Sequence, residues 1–136
     1  MSRVSSIVPT FVETFPAQLQ QGVLYVSATY STAAHLCCCG CGEEAVTPLS
    51  PAQWVLTFDG RVSLRPSIGN WTLPCRSHYV IEHGRVRWAR SYSDTEIRLN
   101  REDDRWVLME ASAKRSGWLR RVGRWIRLMR KRRWSA

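Results

Sequence analysis

The stretch Tyr79–Trp88, YVIEHGRVRW, decides the fold. A turn at His83-Gly84 pairs Glu82 with Arg85, Ile81 with Val86 and Tyr79 with Trp88. Tyr79, Ile81, Val86 and Trp88 then share one apolar face, while Val80, Glu82, Arg85 and Arg87 make a mainly polar one, so the spacing predicts an antiparallel hairpin. A second hairpin is expected in WVLTFDGRVSL (54–64), where Asp59-Gly60 suits a two-residue turn. In that register Thr57 faces Val62 and Val55 faces Leu64, and the other face carries Trp54, Leu56 and Phe58 beside Arg61, Ser63 and Arg65. Upstream, VLYVSATY (23–30) reads as a β-rich run and PAQLQQG (16–22) as a short helix, with Pro16 at its first position and Gly22 ending it. Between Ser91 and Arg105 loop, strand and weak helix fit equally well, and RWVLMEA (105–111) fits strand or helix.

Immediately before the deciding hairpin stands Cys75-Arg76-Ser77-His78, and HLCCCGCGEE (35–44) places the other four cysteines within five residues. Buried free thiols are ordinary small hydrophobes, but four of them beside Gly40 and Gly42 make a poor core segment and a good tight loop. An odd cysteine count, with no long apolar stretch in the first fifteen residues, disfavours a disulfide framework and points to the cytoplasm. Tetrahedral zinc takes four nitrogen or sulfur ligands delivered as close pairs from separate segments, which is what the cluster and the Cys75/His78 pair offer. Such an ion would clip both hairpins to the strand ending near Tyr30 and add substantially to the folding of a small domain.

Within the cluster two ligand sets are open. Cys38-x-x-Cys41-Gly42 has the form of a zinc-knuckle turn, whereas Cys37, Cys39 and Cys41 alternate onto one side with Cys38 pointing away. A reactive thiol with His78 or His35 as its base is the competing chemistry. Glu43 or Glu44 could serve a catalytic zinc as base, but the thiol-rich set suffices to close the shell, so a structural ion is expected. His35 is a reserve ligand or a supporting group, and His83, in the turn, a bystander.

The chain of 136 residues has room for one core, and its net charge of +9 is unevenly placed. Residues 1–113 hold ten arginines and all eleven acids, whereas residues 114–136 hold ten basic groups and no acid. The expected organisation is therefore a zinc-binding β-rich body over 1–113 and a basic tail over 114–136. In the tail, Trp118, Leu119, Val122, Trp125, Ile126 and Met129 recur at helical spacing, with Ser116 a candidate N-cap. Arg120, Arg121, Arg124, Arg127, Arg130 and Lys131 fill the remaining faces, an arrangement suited to an anionic membrane, an acidic protein groove, nucleic acid, or this protein's own core. No phosphate loop and no serine nucleophile elbow is present.

The ordered segments YVSATYSTAAHLCCCGCGEEAVTPLSP, DGRVSLRPSIGNW, PCRSHYVI and GRVRWA resemble a family of small bacterial Cys/His proteins of unknown function, predicted to bind metal and found beside genes for bacterial ubiquitin-like conjugation. The resemblance covers roughly residues 11–89 and implies Cys37, Cys39, Cys41, Cys75 and His78 as ligands, with Cys38 at a variable position. The fold class expected is β-rich α+β: a small antiparallel sheet of hairpins clipped by structural zinc, with a basic amphipathic C-terminal helix. The function expected is a non-catalytic accessory or ligase-like adaptor in a ubiquitin-like modification pathway. Its protein partner, the modifier or its conjugating enzymes, would meet the surface around Trp54, Phe58 and Trp71. The rivals are a cysteine-dependent transferase or zinc hydrolase acting on the modifier, and nucleic-acid or membrane binding through the tail.

Overall fold

The computed structural model describes residues 2–133, with side chains through Val122. In chain order the elements are β1 (Val8–Phe11), β2 (Val23–Ser27), β3 (Thr32–Leu36), β4 (Glu44–Pro48), β5 (Val55–Phe58), β6 (Val62–Gly69), β7 (His78–Glu82), β8 (Arg85–Trp88) and α1 (Asp94–Arg133). The strands form two sheets of four, β1-β2-β3-β4 and β5-β6-β7-β8, built of antiparallel neighbours except for the parallel pair β1–β2. The β-rich α+β architecture of hairpins with a C-terminal helix is thus the observed one. One apolar cluster joins the sheets, with Leu24, Val26 and Ala33 from the first and Val62, Leu64, Ile68, Tyr79 and Ile81 from the second.

The N-terminal segment ties the sheets together. Ile7 N–H donates to the Gly84 carbonyl and Val86 N–H to that of Ser5 before β1 pairs with β2. Residues 12–22 then make the crossover that a parallel pair requires, but not as a helix: PAQLQQG is loop, and Gly22 takes φ +81°. A helix of so few residues fixes its backbone for too few hydrogen bonds. The Gln20 amide donates instead to the Tyr25 hydroxyl and the Gln21 side chain to the Cys37 carbonyl.

The β7–β8 hairpin has the register read from its sequence, Tyr79 with Trp88 through Glu82 with Arg85. Its turn residues His83 and Gly84 both have positive φ, the requirement of a two-residue hairpin that matches strand twist. The β5–β6 hairpin differs by one residue: Phe58 pairs with Val62, Leu56 with Leu64 and Val55 with Arg65. Asp59 causes the difference. Its carboxylate accepts from the Arg61 amide, and the Asp59 amide donates to the Arg61 carbonyl. Together with Gly60 at φ +97° this closes a three-residue loop instead of a two-residue turn. A one-residue slip exchanges faces, so Val62 and Leu64 are fully buried and Val55 is 49% exposed.

The open segment after Ser91 is helical from Asp94. Ser93 and Glu96 form a capping box, with the Glu96 amide on the Ser93 hydroxyl and the Ser93 amide on the Glu96 carboxylate. Ser116 consequently lies inside the helix and is not its cap. By its internal contacts the chain divides into Met1–Ile97 and Arg98–Ala136, upstream of the compositional boundary at 113. No described helix is long and apolar enough to cross a membrane.

The register carries its own test. Leu64→Ala should cost about 2–5 kcal/mol of unfolding free energy in urea, whereas Val55→Ala should stay within about 0.5 kcal/mol. Comparable losses at both positions would restore the two-residue turn.

Candidate metal centre and an adjoining serine–histidine pair

The β3–β4 connection carries the cysteine cluster, and its sharp course is set by Gly40 and Gly42, at φ +88° and +84°. The backbone turns on the Gly40 N–H to Cys37 carbonyl bond and the Cys37 N–H to Glu43 carbonyl bond. This loop and the segment before β7 bring Cys37, Cys39, Cys41 and Cys75 together, with all four sulfurs within 4.8 Å of one another. Cys75 Sγ is 3.8 Å from both Cys37 Sγ and Cys41 Sγ. A disulfide would need about 2.05 Å. Four thiolates at about 2.3 Å from a tetrahedral ion would lie about 3.8 Å apart. The cluster could therefore hold a metal ion, and the alternating set within the loop is the one the backbone assembles. Cys38 turns the other way into the core, where burial pushes its thiol up to about 11. Burial works to raise Cys75 as well, but hydrogen bonding from Ser77 and neighbouring thiols holds it down to about 7.

A buried polar network supports the loop from beneath. Ser77 Oγ is 3.0 Å from Cys37 Sγ, and Asn70 Nδ2 donates its two hydrogens to Ser77 Oγ and the Tyr79 hydroxyl and lies 3.5 Å from Cys37 Sγ. The Tyr79 oxygen also accepts from the Cys38 amide, so its one hydrogen goes to His35 Nε2, 2.8 Å away. His35 is thereby a supporting group and not a ligand. Burial lowers its pKa to about 4, which keeps the ring neutral.

His78, expected among the ligands, is not brought to the thiols. Ser77 and Tyr79 on either side of it face the cluster, so pleat alternation sends His78 to the opposite side. There its Nδ1 lies 2.6 Å from the Arg90 carbonyl and its Nε2 2.8 Å from Ser67 Oγ. A carbonyl only accepts, so Nδ1 carries the ring hydrogen and Nε2 accepts from the serine hydroxyl.

The strand geometry explains the meeting. His78 pairs with Gly69, and β6 bulges between Leu64 and Ile68, which re-aims Ser67 toward the ring. Ser67 lines an open cleft of about 510 Å³ with Pro51, Gln53, Val55, Arg65, Pro66 and Val80. His78 itself is 6% exposed, covered by Trp71 and Tyr92 at ring separations of 5.0 and 4.7 Å. Gly69 permits this cover, because a Cβ there would lie 2.3 Å from Trp71 Nε1.

The residues expected to meet a partner have three different surroundings. Trp54 packs against the core, Phe58 meets Phe11 edge-on at 5.7 Å, and Trp71 stacks on Tyr92. In the tail, Arg120 and Arg121 are exposed, while the side chains of Arg124, Arg127, Arg130 and Lys131 lie outside the described residues. Ser67 was missed by sequence reasoning. Its only local signal is a serine after Pro66 within a strand, since its partnership with His78 is made by tertiary pairing.

The BubE family model, described as bacterial ubiquitination-like system serine protease, matches residues 11–89, and the chain belongs to this family. The match takes in the four clustered thiols, Ser67 and His78, and leaves out Arg90, Tyr92 and α1. No curated protein and no solved structure matches.

Elemental analysis of the purified protein should find one metal ion per chain. Serine at Cys37, Cys39, Cys41 or Cys75 should abolish or sharply weaken its retention, whereas Cys38→Ser and His78→Gln should retain it. Metal loss in His78→Gln would return the histidine to the ligand set.

Proposed function

We propose that this member of the BubE family is a serine hydrolase that cleaves an acyl bond at the C terminus of a ubiquitin-like modifier, with Ser67 as nucleophile and His78 as general base. The observation that carries the reading is the Ser67–His78–Arg90 carbonyl relay, whose serine lines an open cleft on the side of the sheet away from the thiol cluster. The family's description as a serine protease supports it.

The residues act in a fixed order. The Arg90 carbonyl holds the imidazole in the tautomer whose Nε2 can take a proton. As Ser67 Oγ attacks the substrate carbonyl, its proton passes to His78 Nε2, and the leaving amine or alkoxide takes that proton as the carbonyl re-forms on an acyl-serine. Water then attacks the acyl group and gives a proton to Nε2, and Ser67 regains it as the carboxylate departs. Trp71 and Tyr92 cover the ring and keep most of it from water.

The cluster's role in this reading is structural. Cys37, Cys39, Cys41 and Cys75 would hold zinc, for which a four-thiolate shell is a familiar closed site. The ion would fix the loop and the Cys75–His78 segment and would leave no open position for substrate. Cys38 is fully buried and Cys39 and Cys41 belong to the same set, so a thiol nucleophile has weaker support than Ser67. A protein partner follows from the pathway, and a cytoplasmic setting fits it.

Ser67→Ala should lower kcat on a modifier fused through its C terminus to a reporter by about 10³-fold or more, and His78→Gln similarly, with metal content unchanged. A fluorophosphonate probe should modify Ser67 in the wild type and leave Ser67→Ala unlabelled. Gly69→Ala should slow labelling by displacing Trp71 from the imidazole. Full turnover in Ser67→Ala would end the catalytic assignment, and binding of the modifier without turnover in the wild type would leave an adaptor.

A further inference from the structure

Helix α1 is electrically divided. Its residues 94–113 contain six acids and three arginines, whereas residues 114–133 contain ten basic residues and no acid. In the basic half, Trp118 is 63% and Leu119 55% exposed. Val122 continues their side of the helix, and the sequence positions that extend the same stripe carry Trp125, Ile126 and Met129. Gly117 and Gly123 weaken the isolated helix, so a surface that covers the stripe would supply what propensity does not.

We propose that residues 114–133 form a peripheral anchor for anionic phospholipid, lying in the plane of the bilayer surface. Twenty helical residues extend about 30 Å, enough to lay several turns of stripe along the headgroup boundary. The composition selects this occupant on two counts. Beyond Lys114, which pairs with Glu110 at 2.8 Å, the cations have no acid within the segment and attract the phosphodiester charge of the headgroups, and tryptophans with aliphatic neighbours sink into the acyl boundary while the arginines on the flanks stay wet. A nucleic acid would use the charge and leave the tryptophan stripe in water, and an acidic protein would have to offer a matching apolar groove. The absence of a membrane-crossing helix among the described residues accords with an anchor that lies on the surface. The proposal is independent of the chemistry at Ser67.

The test uses the full chain and vesicles of phosphatidylcholine, with or without roughly one part in three of phosphatidylglycerol. Co-flotation and a blue shift of tryptophan emission should show binding to the anionic vesicles at least about tenfold tighter than to the neutral ones, weakening with salt. Trp118→Ala/Leu119→Ala leaves every charge in place and should still weaken vesicle binding by about tenfold, because it removes buried apolar area. Arg120→Gln/Arg121→Gln should weaken it too and reduce its salt dependence. Circular dichroism and metal content of the variants guard against a folding defect, and a parallel titration with duplex DNA separates the other polyanion. Equal affinity for both vesicle types would overturn the proposal. So would duplex DNA binding that exceeds vesicle binding and is indifferent to Trp118→Ala/Leu119→Ala.

Discussion

The Tyr79 hydroxyl is the contact on which the rest of the body depends. It is fully buried, accepts from the Cys38 amide and from Asn70, and donates to His35. Those bonds fasten the cysteine loop of one sheet to the central strand β7 of the other. A buried hydroxyl with three partners is costly to desolvate and costlier to leave unpaired, so it tolerates one arrangement of loop and strand. Once Tyr79 points inward, strand alternation fixes its neighbours. Ser77 joins the thiols, and His78 turns to the far side of the sheet toward Ser67.

This parity separates two chemistries that the sequence runs together in PCRSHY. Cys75 and His78 have the spacing of a ligand pair, and within a tight knuckle both could reach one ion. Here Arg76 at φ +46° and the pairing of His78 with Gly69 start the strand between them, and the pair is split across the sheet. The thiols thereby supply a set of four that could hold an ion without a nitrogen ligand, and the histidine is left to Ser67. A rigid segment anchored at Cys75 is also a short lever on the imidazole, three residues away.

What was legible followed from local chemistry. The His83-Gly84 turn and the alternation around it fixed one hairpin to the residue, and the glycines after Cys39 and Cys41 announced the loop. Asp59-Gly60 misled because an aspartate before glycine serves two loop lengths, and the carboxylate bond to the Arg61 amide that decides between them appears only in three dimensions. The capping box at Ser93-Asp94-Thr95-Glu96 was present in the sequence, and would have started the helix where the structure does. Ser67 had no such sign. A bulge in one strand and a bare glycine opposite the histidine bring the two residues together, and neither leaves a motif.

In the proposed relay the third member is a main-chain carbonyl, which would have consequences for His78 as a base. A carboxylate in that place would both orient the imidazole and offset the positive charge it gains; a carbonyl orients it and offsets the charge only through its dipole. The aromatic cover answers part of this. Trp71 and Tyr92 lie at ring separations of 5.0 and 4.7 Å, tilted by 56° and 64° against the imidazole, which they leave 6% exposed. These rings exclude water, so the carbonyl dipole acts in a less screened medium. Gly69 thus does more than relieve crowding: by letting Trp71 fold back onto the ring, it shields the bond between the imidazole and the Arg90 carbonyl from water, so the dipole is less screened.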